Sequence, residues 1–397
     1  MKTTVKFMCV AMAMFVCCMA FAACGGSGFT VPDFSAKENI KIGASGPLTG
    51  DAAMYGTAVN NSAKMAVKEI NEAGGVNGVM LSLEMMDDVH DASKVSVGYA
   101  TLKSRGMQVS LGCVTSAPCL AWKALAVQDS LFSITPSATN DSVPVDAPNM
   151  YQMCFSDSNQ GASAASYVMA NYATAKVGVF YKSDDAYSKG IFDQFQSHYD
   201  AEKWSSVVVT SFTSATSTDF SSQIQQLQAC DFVFMPIYYQ PASLFMTQAQ
   251  SSSMASNVVF FGCDGFDGID AVQGFDIQSV KQEVSYLSHF DSSATTGKTG
   301  EFIKNYKENF GEQTLSQFGA SAYDCVYAIA KALKAAMDAG KTVNGSTSMA
   351  EMNQILQEQF QSESFRFDGA TGSNITWNAD GTVVKMPVKY VVKEASK

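Results

Sequence analysis

Six short stretches of the chain end an apolar run and pass at once into residues that can hold a small polar molecule. They are GPLTGDAAMYG (46–56), GCVTSAP (112–118), TPSATN (135–140), YKSDDAYSKG (181–190), PIYYQP (236–241) and GCDGFDG (262–268). Between them they carry hydroxyls at Ser116, Ser137 and Thr139 and tyrosine rings at Tyr55, Tyr187, Tyr238 and Tyr239. They also carry a carboxylate, Asp264, directly behind the apolar VVFFG. Those types suit a zwitterion. A ligand carboxylate is well held by a hydroxyl and by free amides at a helix start, where the helix dipole favours negative charge. An ammonium group needs a carboxylate and carbonyl oxygens, and charge-assisted bonds of that kind are the stronger ones. Tyrosine gives an apolar wall with a polar tip. Each feature alone has a plainer use, since Ser and Thr after a strand serve in turns and caps. Only their convergence would make a site.

Other chemistries fail on inspection. TTGKTG (295–300) contains Gly-Lys-Thr but lacks the upstream glycine and the preceding strand of a phosphate loop. DGFDGIDAVQG is acidic, yet its spacing does not match a calcium loop. There is no G-x-S-x-G elbow, and Asp87–Asp88 ends a strand, where capping is the expected role. Three scattered histidines and no C-x-x-C pair argue against zinc. No enzyme activity, metal or cofactor is expected.

The elements that must position these residues alternate. IKIGASG is a strand, and YGTAVNNSAKMAVKEINEAGG is a helix with Ala58, Ser62, Met65, Ala66 and Ile70 near the 3.6 period, ended by Gly74 and Gly75. VMLSLEMMDD, QVSLGCV and LFSITP follow as strands, with helices between them. After MYQMCFSDSNQG a second series begins: KVGVFY, SSVVVTSF, DFVFMPIYY and VVFFG. Repeated units of this length indicate doubly wound parallel sheets, in which ligands gather beyond the carboxyl ends of the strands. The fold class is therefore α/β with two Rossmann-like lobes. The tail TWNADGTVVKMPVKYVVK reads as a hairpin turning on Asp380–Gly381, and Trp122 reads as core.

A chain of 397 residues, 47% hydrophobic and 16% charged, has ample core for two domains. Its start is a separate segment. MKTTVKFMCVAMAMFVCCMAFAAC has Lys2 and Lys6, an apolar stretch from Phe7 to Phe21, then Ala22 and Ala23 before Cys24. That is the layout of a signal peptide (1–23), since a spanning helix wants about 20 apolar residues and no cleavage site. The small residues before Cys24 and the GGSG after it resemble a bacterial lipoprotein signal, in which the cysteine is lipidated; cleavage as an ordinary signal near Ala23 is the alternative. Residues 24–37 then form lipid anchor and flexible tether. Loss of the leader removes two lysines and no acids, taking the net charge from −11 to −13. Such a surface argues against nucleic acid and anionic membrane as partners. The six later cysteines, Cys113, Cys119, Cys154, Cys230, Cys263 and Cys325, are expected to be mostly structural thiols.

INEAGGVNG, LGCVTSAP, ITPSATND, DDAYSKG and FFGCDG, in this order along nearly the whole mature chain, resemble the branched-chain amino-acid type of periplasmic binding protein. The resemblance implies an extracytoplasmic receptor, tethered on the outer face of the cytoplasmic membrane, that delivers a small amino acid to an ABC-type permease as a monomer. It implies two lobes joined by three hinge crossovers near 153–157, 285–290 and 364–369. Lobe one would span 38–154 plus 288–365, and lobe two 155–287 plus 366–397, closing on the ligand like a flytrap. Ser116 and Thr139 would hold the ligand carboxylate, the Ser137 carbonyl and Asp264 the ammonium, with Tyr55, Tyr187 and Tyr238 (or Tyr239) as walls. Gly265 would let the backbone come close to the ligand. The same fold could take up an amide or aromatic carboxylic acid, or serve a ligand sensor. A sensor usually adds a transmembrane helix and an output domain, neither of which is legible in this sequence.

Overall fold

Strand β1 (Ile40–Gly46) is buried along its whole length, as a short apolar run must be when helices cover both faces of a parallel sheet. The computed structural model describes residues 32–395. The signal peptide, Cys24 and most of the tether lie outside the described residues. Strands β2 (Leu81–Asp87), β3 (Val109–Cys113), β4 (Ser133–Thr135) and β5 (Met150–Gln152) join β1 in a parallel sheet of order β2-β1-β3-β4-β5. The second sheet repeats that order. Its strands are β6 (Val177–Lys182), β7 (Val208–Phe212), β8 (Phe232–Met235), β9 (Val259–Gly262) and β10 (Glu283–Ser288), arranged β7-β6-β8-β9-β10. In each sheet the order reverses beside the first strand, which opens a crevice at the strands' carboxyl ends.

The helix Ala53–Glu72 closes on glycines as its sequence requires. Gly74 and Gly75 have φ of 99° and 73°, and the Gly75 N–H returns to the Ile70 carbonyl at 2.9 Å. It packs along the helix Gln317–Asp338, which supplies much of the first lobe's core. Trp122 is fully buried, its ring edge-on to Tyr99 and its Nε1 donating to Ser133 Oγ at 3.2 Å. The six cysteines of the described residues are buried free thiols. No helix among the described residues is long and apolar enough to cross a membrane.

The chain passes between the sheets three times: after β5, after β10, and ahead of β13 (Val388–Lys393), which pairs antiparallel with β10. The last passage falls at 376–387, later than the 364–369 read from the sequence. At 367–375 the chain is still against the first lobe, as a small hairpin of β11 (Phe367–Gly369) and β12 (Gly372–Ile375). The buried Asp324 holds it there by accepting the N–H groups of Ala370 at 2.7 Å and Thr371 at 2.8 Å. The expected turn at Asp380–Gly381 is present, with φ of 84° at Gly381 and a bridge from Trp377 to Val383. Its second arm does not continue as a hairpin. It crosses to cover the free edge of β10, with Lys385 turned inward onto Thr371 Oγ1 at 2.6 Å and Lys389 onto Glu283 at 2.6 Å.

Candidate ligand-binding site

Six loops at the carboxyl ends of the two sheets meet across the crevice. On the first lobe the loop after β1 is braced by the aspartate pair: Asp87 accepts the Leu48 N–H at 2.9 Å and the Thr49 hydroxyl at 2.6 Å, and Asp88 accepts the Ser45 hydroxyl at 2.8 Å. That brace presents Tyr55 in the first turn of the next helix. Its hydroxyl crosses to the second lobe, donating to the Gly265 carbonyl at 2.5 Å and accepting the Tyr239 N–H at 3.3 Å. The lobes are thus shut on one another.

The loop after β3 runs into the helix Ser116–Asp129. Its first amides have no partner within the helix, and the Ser116 hydroxyl is buried without a hydrogen-bond partner. Pro118 lies in the first turn, where its missing N–H costs nothing. After β4, Ser137 donates to the Val114 carbonyl at 2.7 Å. The Thr139 hydroxyl is also buried and makes no hydrogen bond of good geometry.

The second lobe contributes the acidic side. Tyr187 lies in the first turn of the helix Ala186–His198, capped by Asp185. Its hydroxyl donates to Asp264 Oδ1 at 2.6 Å and accepts the Gly265 N–H at 2.8 Å. Tyr238 stacks on Tyr187, with centroids 4.5 Å apart and ring planes 13° apart. Asp264 opens the tight turn after β9 at 1% exposure, and its N–H donates to Gln160 Oε1 at 2.9 Å. Burial pushes its carboxyl up to about 6, against hydrogen bonds from Tyr187, Gln160 and Gly265 that favour the ionised form. Nearby Asp157, also fully buried, is raised well above the usual range by burial and by neighbouring acids. No lysine or arginine pairs with Asp264 among the described residues.

Five of the seven residues read from the sequence, Tyr55, Ser137, Tyr187, Tyr238 and Asp264, line one enclosed cavity. Ser116 and Thr139 sit beside it rather than on its wall. Tyr239 turns away to the contact between lobes, where its hydroxyl accepts the Met54 N–H at 3.4 Å. The cavity holds only about 10 Å³ in this closed arrangement, roughly one water. Outside Tyr238 the cleft widens to a groove of about 660 Å³ edged by Asp51, His90 and Lys182.

Gly265 is needed within the protein itself. A Cβ there would lie 2.7 Å from the Tyr187 hydroxyl and 2.8 Å from the Ile237 carbonyl, so the missing side chain makes room for a tyrosine. Thr115, Phe318 and His90 escaped the sequence reading. Thr115 lines the cavity next to Ser116, and Phe318, from the start of a distant helix, packs 4.7 Å from Tyr55. His90 bonds the Thr115 hydroxyl at 2.9 Å and sets its ring edge against Tyr238. It follows Val89, and both have positive φ, 47° and 63°, a strained pair whose geometry the Asp87–Asp88 brace imposes.

A family model described as periplasmic binding protein matches residues 39–390. The Leu/Ile/Val-binding protein BraC3 of Rhizobium johnstonii is 29% identical over 59% of this chain and 64% of its own length. The leucine-, isoleucine-, valine-, threonine- and alanine-binding protein of Pseudomonas aeruginosa is 28% identical over 62% of this chain and 65% of its own. The match thus spans less than two thirds of either relative. A crystal structure of a branched-chain amino acid transporter substrate-binding protein from Streptococcus pneumoniae, in complex with isoleucine, is 26% identical. It covers 90% of this chain and 96% of its own, with a TM-score of 0.74.

The site's electrostatics can be checked without any ligand. The Asp264 carboxyl should titrate near 6 by ¹³C NMR, and Tyr187→Phe should move it upward, because the lost hydroxyl stabilised the charged form. A midpoint unchanged or lowered in Tyr187→Phe would contradict this geometry.

Proposed function

The chain belongs to the periplasmic binding protein family, and on that premise we propose that it captures a small amino acid, branched-chain or close to it, and delivers it to an ABC-type importer. One observation carries the reading: Asp264 is a buried carboxylate with no basic side chain to neutralise it among the described residues. An ammonium group bound there would meet that need, with the Ser137 carbonyl as second acceptor. The ligand carboxylate would take the unpaired hydroxyl of Ser116 and the first amides of the helix Ser116–Asp129, with the Thr139 hydroxyl, which faces Asp157, beside them. Tyr55, Tyr187, Tyr238 and Phe318 would wall the side chain. An aromatic carboxylate or a simple amide would leave Asp264 uncompensated, which favours the amino acid. The relatives' names, leucine, isoleucine and valine among their ligands, support the same class.

In this reading the passages after β5, after β10 and at 376–387 are the hinges, and residues 38–154 with most of 288–375 move as one lobe against the rest. Members of this family work outside the cytoplasm. Attachment through a lipidated Cys24 would hold this one at the membrane as a monomer. Cys24→Ser should then release the protein from the membrane fraction, and persistent association would contradict the anchor.

Calorimetry against the twenty amino acids tests the ligand. One should bind at micromolar level or tighter, and Asp264→Ala should lose about a hundredfold or more, as expected when one partner of a buried charge pair is removed. The pH dependence follows from the sign of the shift. In the ligand-free chain burial holds the Asp264 proton on up to about pH 6, so below that pH an ammonium ligand must displace it. Affinity should therefore be flat above about pH 7 and fall up to tenfold per pH unit below 6. A constant affinity from pH 5 to 7, or an unaffected Asp264→Ala, would place the amine elsewhere.

A further inference from the structure

Three residues beyond Asp264 stands a second buried carboxylate, Asp267, tied to the first by its own N–H, which donates to the Asp264 carbonyl at 2.9 Å. Asp267 belongs to the second lobe but bonds to the first: its Oδ2 accepts the backbone N–H of Gln317 at 2.8 Å. Gln317 opens the 22-residue helix Gln317–Asp338. Its neighbour Phe318 forms part of the cavity wall, and its side-chain Oε1 accepts the His289 N–H on the second passage at 3.4 Å. Two hydrogen bonds, both made by Gln317, thus join the turn that carries Asp264, the helix that carries a cavity wall, and the second passage between the lobes.

We propose that Asp267 is a positioning residue for ligand capture: it caps the Gln317–Asp338 helix across the cleft only while the lobes are shut, and so slows ligand escape without touching the ligand. The inference rests on the two-lobed receptor reading above. A helix start presents unpaired N–H groups and the positive end of the helix dipole. Here Ser316 caps one of them, taking the Gly319 N–H at 3.4 Å, and the Gln317 N–H is met from the opposite lobe. When the lobes part, water solvates both partners. When they close, the bond re-forms in a buried site, where it is stronger. Burial pushes the Asp267 carboxyl up to about 7, and the Gln317 N–H and the Tyr286 hydroxyl draw it back toward the ionised form.

Two substitutions remove the bond from opposite sides. Asp267→Ala removes the acceptor. Gln317→Pro removes the N–H at a first helical position, where proline fits, after a Ser316 whose φ of −155° and ψ of 166° suit the residue before proline. Stopped-flow dissociation of the tightest-binding proteinogenic amino acid should quicken on the order of tenfold in each. Association rates should hardly change, because the bond forms only after the lobes have closed. The double variant should be no faster than either single one, since both delete the same interaction. Gln317→Ala, which keeps the N–H, separates loss of the side chain from loss of the amide, and Asp267→Asn, which keeps an acceptor oxygen, should fall between wild type and Asp267→Ala. Wild-type dissociation in both Asp267→Ala and Gln317→Pro, or effects that multiply in the double variant, would overturn the latch alone. Failure of the wild type to bind any amino acid would overturn the receptor reading and the latch with it.

Discussion

A single carboxylate, Asp264, held at 1% exposure without a basic partner among the described residues, is the constraint on which the rest of the site depends. Burying an uncompensated charge is costly, and a carboxyl so placed rises in pKa unless hydrogen bonds or an incoming cation oppose it. Here Tyr187, Gln160 and the Gly265 N–H oppose it in part. Tyr187 can reach Asp264 because residue 265 has no side chain, and Tyr238 is fixed by stacking on Tyr187. Tyr55, from the opposite lobe, bonds to the Gly265 carbonyl. The wall of the cavity is thus assembled outward from the acid, and closure of the lobes completes it.

The fold separates the two signs of charge. The first sheet's loops bring a helix start and the unpaired Ser116 hydroxyl, suited to an anion. The second sheet's loops bring Asp264 with Asp157 and Asp185 nearby. Because both sheets share one strand order, both crevices open at equivalent places, and facing the lobes toward each other sets the hydroxyl-bearing and acidic halves a short distance apart. On the proposed function a zwitterion would bond to both lobes at once, which is how a small molecule can favour the closed form over the open one.

Much of this was legible because strands that must be buried on both faces read as short apolar runs, and glycine, proline or aspartate punctuates their ends. That punctuation marked the loops in which Asp264, Tyr187 and Tyr55 stand; singling those residues out within them rested on the family resemblance. Phe318 could not be placed, because nothing local distinguishes a phenylalanine at a helix start that packs in the core from one that reaches a cavity 263 residues of chain away from Tyr55. His90 was hidden by its backbone, since two consecutive non-glycine residues at positive φ are imposed by tertiary bracing and not by composition. The third passage was placed too early because Asp324, which pins the β11–β12 hairpin to the first lobe, is one acid within a long helix and carries no sequence signal of its role. The terminal strand misled for a related reason: its alternation was visible, but its partner, the free edge of β10, lies about a hundred residues earlier.

The central claim is that an ammonium group on Asp264 holds the ligand between the lobes. Its most direct test is to titrate the protein with L-leucine, L-isoleucine and L-valine, and with the same three molecules lacking the amine. The account predicts that the amino acid that binds tightest loses about a hundredfold or more when its amine is removed. Equal or tighter binding of the deaminated acid would show that Asp264 does not meet a cation, and would contradict the account at its foundation.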